Sequence, residues 1–384
     1  MIPYGRQHIT EDDVSAVTDV LRSDFLTQGD VVTRFERAVA ERVGASHGVA
    51  LNSATSALHV ACVALGLGAG DELWTSPNSF VASANCGIYC GANVDFVDID
   101  AKTLNMSVPA LERKLFETRR LGKRLPRVVV PVHFSGQPCD MTGIGALARE
   151  YGFRVIEDAS HAIGADCAGA PVGNCAHSEI TVFSFHPVKI ITTAEGGLAV
   201  TNDPALARKM ERLRSHGITR NPAEMTHEPD GDWYYQQTEL GWNYRMTELQ
   251  AALGFSQLQR LDAYVTRRHE IADRYDAGLV DLPVTLPVRE ANHRSALHLY
   301  VIQVNDPSRH LDVFQSLRTG GIGVNLHYIP IHLQPFYKDR GFAEGDFPKA
   351  EAYYARALSL PMFPTMTEDQ QDTVIAAVRS AVAA

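Results

Sequence analysis

Thr181-Val-Phe-Ser-Phe-His-Pro-Val-Lys-Ile-Ile-Thr-Thr-Ala-Glu-Gly-Gly-Leu-Ala-Val200 is the stretch on which the reading of this chain turns. The residues from Ile180 to Phe185 are mostly β-branched or aromatic and predict a strand. Pro187 has no N–H to donate and ends regular pairing. Gly196-Gly197 turns the chain, and Leu198 to Thr201 predicts the next strand. Between the two strands one lysine, Lys189, stands in a polar loop with Thr192, Thr193 and Glu195, and with Ser184 and His186 close by. Most lysines are solvated surface residues. This one is flanked by apolar strand-forming sequence, the arrangement by which a rigid scaffold presents a reactive group on a loop. A lysine whose pKa is lowered by a partly apolar pocket is a nucleophile toward carbonyl carbon.

Upstream, Arg127-Val-Val-Val-Pro-Val-His-Phe134 predicts a buried parallel-type strand from its continuous apolar run. In Phe153-Arg-Val-Ile-Glu-Asp-Ala-Ser-His-Ala-Ile-Gly164 a strand ends in Glu157 and Asp158, followed by Ser160 and His161. Ligands gather at the carboxyl ends of strands in open α/β sheets, although a carboxylate there also serves as a helix N-cap. Gly48 to Leu65 predicts a short strand, a polar turn and a helix. The turn, Asn52 to Ser56, is either a simple N-cap by Ser53 or Thr55 or an anion site built from unpaired N–H groups. Leu73 to Asn85 repeats the strand, loop and helix pattern, and its Phe80 reads by default as a core aromatic. Val94 to Ile99 is a further strand, and Val108 to Glu117 a helix followed by a basic surface loop, 118–126.

The outer elements are simpler. Thr10-Glu-Asp-Asp13 predicts an N-capped first helix, and Phe35, Val39 and Val43 a second one closed by Gly44, with a turn-rich connector from Ser23 to Gly29 between them. Asn221 to Gln237 reads as a polar loop or lid, and Met246 to about Gly278 as one long amphipathic helix. Past Leu282-Pro, strands His298 to Val304 and Val324 to Tyr328 alternate with helix Leu311 to Thr319 and a last helix from Glu368. The division predicted is a large domain over 1–278 and a small α+β C-terminal domain over 279–384.

The chain has 384 residues, 45% hydrophobic and 21% charged, which suits a large soluble core. A net charge of -10 argues against nucleic acid or an anionic membrane as partner. The N-terminus lacks a signal peptide's apolar core and no run reaches membrane-span length, so a cytoplasmic protein is expected. Six cysteines, at 62, 86, 90, 139, 167 and 175, form no metal-ligand spacing and read as thiols of a reducing compartment. His327 and His332, separated by Pro330, do not make a metal pair, and no metal site is expected.

Ser184-Phe-His-x-x-Lys-x-Ile-Thr-Thr-x-Glu-Gly-Gly197 resembles the cofactor-lysine signature of the DegT/StrS-type sugar aminotransferases, and the likeness runs nearly end to end, from Pro3 to Pro364. The resemblance implies an α/β fold of the type I pyridoxal-phosphate transferases, with a mostly parallel, seven-stranded-type sheet between helices. It implies pyridoxal 5'-phosphate bound at Lys189, its phosphate held by Ala54, Thr55 and Ser184, and Phe80 stacked on its ring. Asp158 would face the ring nitrogen, because a protonated pyridinium is the electron sink the chemistry requires. His161 would meet the phenolic oxygen. Asn243, in Gly241-Trp-Asn-Tyr-Arg-Met246, would reach the neighbouring subunit's phosphate and make a homodimer obligatory. Tyr4, the segment Asp24, Phe25, Leu26 and Thr27, and the segment Asn325, Leu326, His327 and Tyr328 would contact a nucleotide-linked keto sugar, with L-glutamate as amino donor. Within the family, segments such as Asn52 to Ala57 and Pro131 to Asp140 look most like the branch that aminates C4 of a UDP-linked 4-keto-6-deoxy-N-acetylhexosamine in pseudaminic acid synthesis. Dehydrases on the same fold replace the lysine by histidine, and Lys189 argues against them. A non-enzymatic pyridoxal-binding regulator is the remaining rival; no helix-turn-helix or basic arm supports it.

Overall fold

β-Branched and aromatic runs punctuated by Gly and Pro build a central sheet with helices on both faces; the computed structural model describes residues 1–383. In chain order, helices α1 (Glu11–Leu21) and α2 (Asp30–Val43) precede β1 (His47–Leu51). Then come α3 (Ala54–Ala64), β2 (Glu72–Thr75), α4 (Ala82–Tyr89), β3 (Asn93–Phe96) and α5 (Val108–Arg120). Next are β4 (Val128–Val130), α6 (Met141–Tyr151), β5 (Arg154–Asp158), β6 (Ile180–Ser184), β7 (Gly197–Thr201) and α7 (Pro204–Leu213). The seven strands lie in the order β1-β7-β6-β5-β4-β2-β3. Only β7 runs antiparallel to its neighbours, pairing with β1 on one side and β6 on the other. The mostly parallel sheet expected from the sequence is therefore present. The lysine loop is the connection between the antiparallel pair β6 and β7.

Apolar layers cover the sheet on both sides. Leu58, Val60 and Cys62 of α3 pack on one face with Val128, Val130 and Ile156. Phe35 and Val39 of α2 lie on the other with Phe183, Phe185 and Leu198. The Phe35 and Phe185 rings meet edge to face at 5.2 Å, and burying each ring contributes about 2–3 kcal/mol. Helix α1 begins at a capping box in which the Thr10 amide donates to Asp13 Oδ2 at 3.0 Å.

Beyond the sheet, α8 (Glu248–Leu258) and α9 (Leu261–Leu279) lead to a three-stranded antiparallel sheet of β8 (Val284–Thr285), β9 (Tyr300–Val304) and β10 (Ala357–Leu360). Helices α10 (His310–Thr319) and α11 (Glu368–Ala383) cover it. The long helix expected from Met246 to Gly278 is thus two. Arg260 leaves helical backbone (φ -105°, ψ 5°) and its guanidinium holds the buried Asp13 carboxylate of α1 at 2.6 Å. The ion pair thus stands at the junction of the two helices. The basic stretch at 118–126 is also shorter as a loop than expected, because α5 runs on to Arg120. Arg119 lies 3.9 Å over the Tyr151 ring and ties that last turn to α6. Val324 to Tyr328 forms no strand; a single bridge joins Asn325 to Ser359, and the residues after it turn away toward the cavity. Among the described residues no helix is long and apolar enough to cross a membrane.

Candidate active site

At the carboxyl ends of the parallel strands lies a cavity of about 450 Å³ lined by Ser53, Thr55, Phe80, Asp158, Ser184, Lys189 and their neighbours. Strand alternation sets its floor. Along β5 successive side chains point to opposite faces, so Asp158 faces the cavity and Glu157 the far side. Asp158 Oδ2 accepts from Ser83 Oγ at 2.6 Å, Ser83 Oγ lies 2.7 Å from Ser79 Oγ, and Asp158 Oδ1 accepts the Ser160 amide at 3.1 Å. Among the described residues no cation pairs with this buried carboxylate. Glu157 is fully partnered behind it: His133 Nε2 donates at 2.8 Å, Thr181 Oγ1 at 3.1 Å, and Ser178 Oγ also donates.

The polar turn between β1 and α3 forms one wall. Ser53 caps the helix, its Oγ accepting the Ser56 amide at 3.1 Å. The N–H groups of Ala54 and Thr55, leading the helix, have no intrahelical acceptor and border the cavity. Gly197 is what lets β7 come this close. A Cβ there would sit 2.4 Å from the Ala54 nitrogen. Ser184, opposite Gly197 in the ladder, adds a hydroxyl on the same side.

Lys189 enters from the β6–β7 loop. Burial pulls its ammonium down to about 8, against the opposing pull of Asp158. His186 and Glu195 stand 4.0 Å apart beside it at the rim. The roof is a group of neutral rings. His161 Nδ1 accepts the Ser135 amide at 3.2 Å, which leaves the proton on Nε2, 3.1 Å from the Tyr328 hydroxyl. The His161 and His298 rings meet tilted at 45°, centroids 4.5 Å apart, and burial holds both well below the ordinary histidine range. His327 is pushed down to about 4 by burial and by the Lys189 charge; its Nδ1 meets Ser359 Oγ at 2.8 Å. Tyr4 lies 5.5 Å from the His327 ring, and burial raises its hydroxyl pKa against a hydrogen bond from Asn325. Burial also raises Tyr328.

The residues singled out in the sequence fall into two groups. Ala54, Thr55, Phe80, Asp158, His161, Ser184, Lys189, Tyr4, His327 and Tyr328 line one cavity, with Asn325 reaching it through Tyr4. Leu326 does not line it, and its amide turns to Asn325 Oδ1 at 2.8 Å. Asp24, Phe25, Leu26, Thr27 and Asn243 are exposed and lie outside the lining of the same chain's cavity. They belong to linked segments: Leu26 O accepts the Glu248 amide, and the Glu248 carboxylate accepts the amides of Gly29 and Val31 at 3.0 and 2.7 Å. Sequence reading missed Ser83 and His298. The spacing of Ser79 and Ser83, one helical turn apart, was the available signal for the first; His298 sits in an apolar run that reads as strand.

A family model described as the DegT/DnrJ/EryC1/StrS aminotransferase family matches residues 7–379. The spore coat polysaccharide biosynthesis protein SpsC of Bacillus subtilis is 41% identical over 387 residues, covering 99% of this chain and 97% of that one. Among solved structures, the sugar aminotransferase Spr1654 of Streptococcus pneumoniae in its PMP-form superposes with a TM-score of 0.92 at 29% identity, covering 100% and 99% of the two chains. The same protein has also been solved in a PLP-form. Helicobacter pylori PseC, described as an aminotransferase of pseudaminic acid biosynthesis, superposes with a TM-score of 0.91 at 30% identity, covering 100% and 99%.

Proposed function

This chain belongs to the DegT/DnrJ/EryC1/StrS aminotransferase family, whose sugar aminotransferases depend on pyridoxal phosphate, and from that premise we propose that it moves the amino group of L-glutamate to C4 of a UDP-linked 4-keto-6-deoxy-N-acetylhexosamine. The observation that carries the reading is that Lys189 shares one cavity with the buried Asp158 carboxylate, which accepts only from Ser83 and the Ser160 amide and makes no salt bridge among the described residues. That carboxylate suits a pyridinium N–H, and the free amides beside Gly197 suit a phosphate. Lys189 would hold the cofactor through Nζ, Ala54, Thr55 and Ser184 its phosphate, Asp158 its ring nitrogen, and Phe80 its ring face. Bound there, pyridoxal phosphate would supply an electron sink for the charge that develops on carbon when a proton leaves.

The chain's own residues do the rest. Lys189 Nζ, near half deprotonated at about pH 8, takes the α-proton of the amino donor and returns a proton to C4 of the sugar. His161, with its Nδ1 committed to the Ser135 amide, offers only a donor N–H at Nε2. Tyr4, His327 and Tyr328 present an uncharged polar roof, suited to hydroxyls and an acetamido group. In a homodimer, Asn243 and the 24–27 segment would complete the neighbour's cavity. With 1–278 and 279–384 taken as the two domains, His327 and Tyr328 would be the small domain's share of the cavity. The pseudaminic acid branch is supported by the PseC superposition; a keto sugar of another surface polysaccharide is the second reading, favoured by the higher identity to SpsC.

The test is spectroscopic. Protein loaded with pyridoxal phosphate is titrated with glutamate, then with UDP- and dTDP-linked 4-keto sugars. Bleaching by glutamate and recovery with the UDP sugar alone is the expected result. Recovery with a dTDP sugar alone would move the enzyme to another sugar. Absence of a lysine-bound absorption band would remove Lys189 from its role.

A further inference from the structure

The Asp158 carboxylate is buried, and its two oxygens are served from different sides. Oδ1 accepts the Ser160 amide, from its own turn, at 3.1 Å, and Oδ2 accepts Ser83 Oγ, from the first turn of α4, at 2.6 Å. No other side chain donates to it among the described residues, whereas Glu157 beside it has three side-chain donors. Ser83 is fully buried and takes no part in the cavity lining, so it stands behind the carboxylate, away from anything bound in front. Ser79, four residues earlier, is buried too but does line the cavity, and its Oγ lies 2.7 Å from Ser83 Oγ.

Proton counting gives this chain a direction. A serine hydroxyl has one proton to donate, and an ionised carboxylate has none. The Ser83 proton goes to Asp158, so the proton between the two serines belongs to Ser79. A hydroxyl that accepts one hydrogen bond donates the next more strongly, so Ser79 strengthens the bond that Ser83 makes.

We propose that Ser83, driven by Ser79, is a positioning residue for the amino transfer: its hydroxyl holds Asp158 as a carboxylate, so that the acid orients the ring nitrogen of pyridoxal phosphate without taking its proton. The inference rests on the cofactor reading given above. Two arrangements of that pair compete. In one the proton stays on the ring nitrogen opposite a charged carboxylate. In the other the N–H bond breaks, an O–H bond forms on Asp158, and both partners are neutral. A dry site favours the neutral pair, because it penalises separated charge. A hydrogen bond donated to the charged acid favours the other, and such a bond shifts the balance by about tenfold to a hundredfold. Only the protonated ring is an effective electron sink. Ser83 thus keeps the sink ready without touching it. The plain alternative is a structural tie between α4 and β5.

The full-length protein is loaded with pyridoxal phosphate carrying 15N at the ring nitrogen. The ring signal is read by solid-state 15N NMR, beside the visible band of the lysine-bound cofactor. The native protein is expected to show the band and a protonated ring nitrogen. Ser83→Ala should keep the band while its ring signal moves toward the unprotonated position. Its maximal rate of bleaching by glutamate should fall about tenfold to a hundredfold, with half-saturating glutamate changed by less than about twofold. Ser79→Ala should move both readouts the same way by less, since it leaves the Ser83 bond in place. Ser83→Thr keeps the hydroxyl and should restore the native signal. A cofactor-loaded Ser83→Ala protein with the native ring signal, losing only melting temperature, would overturn the proposal and leave the cofactor reading intact. A folded Ser83→Thr protein that keeps the alanine signal would do the same. A native protein without the lysine band would overturn both. If the Ser83 variants fail to fold, Ser79→Ala decides, and an unchanged ring signal there overturns the directed chain.

Discussion

The cavity around Lys189 and the surface formed by residues 24–27 and Asn243 were marked by the same resemblance, yet they are built differently. The first is a recess: Asp158, His161, His298 and His327 at its base are buried and Lys189 is half-buried, although Phe80 at its rim is exposed. The second is open, with Phe25 62% and Leu26 47% exposed although both are large and apolar. It is nonetheless well anchored, since buried Glu248 holds the amides of Gly29 and Val31. A rigid, exposed, partly apolar segment that meets none of its own chain's site suits a part that acts on another copy. In the homodimer proposed above, one protomer would carry the chemistry and lend its neighbour the edge of the binding site.

The strongest way to break this division is at its centre. Lys189→Ala is expected to cut turnover at least about a thousandfold with the melting temperature unchanged or higher, since a buried amine is removed; retained turnover would remove the cavity's role. Next in size is Asn243→Asp, expected to cost about a hundredfold by setting like charge against an anion. Mixed and re-paired with Lys189→Ala, it should regain about a quarter of native turnover, because random pairing makes half the dimers hybrid with one intact site each. A mixture that stays inactive would place both groups in one chain's site.

A smaller effect sharpens the cavity side. Gly197→Ala puts a methyl 2.4 Å from the Ala54 nitrogen, so the backbone must give way. The expected result is cofactor affinity weaker by about tenfold to a hundredfold, the equivalent of about 1–3 kcal/mol, read by equilibrium dialysis. The smallest concerns acid. His161, His298 and His327 are all held below the ordinary range, so the unfolded chain binds more protons once pH falls below about 6.5. Stability should fall from there, and the His327 share is complete below about 4. Replacing it, as His327→Asn, should flatten the drop in melting temperature between pH 7 and 4 by a few degrees, about what a group of this kind supplies.

Much of this was legible in the chain. Lys189, Asp158, Thr55 and Ser184 stand in local patterns of strand, turn and helix, and a local pattern survives folding. Gly197 was read as a turn; its tighter duty, admitting the strand to the Ala54 amide, depends on a residue far away in sequence. Arg260 breaks a helix whose apolar period continues through it, and its ion pair with Asp13 of α1 is a long-range contact that periodicity does not contain. His298 looked like the start of a strand and instead packs on His161.

Two adjacent carboxylates on β5 carry a last consequence. Glu157 sits among three hydroxyl or imidazole donors on one side of the sheet, and Asp158 looks into the cavity on the other. If β5 slid by one position against its neighbours, the two acids would trade faces of the sheet. Glu157 would turn to the cavity side and Asp158 away from its serine donors, leaving a buried charge unpaired. Misthreading at this strand is therefore penalised at two sites at once, so the pair works as a proofreading mark for the sheet: a chain that assembles in the wrong frame loses the acid of the cavity and the acid behind the sheet together.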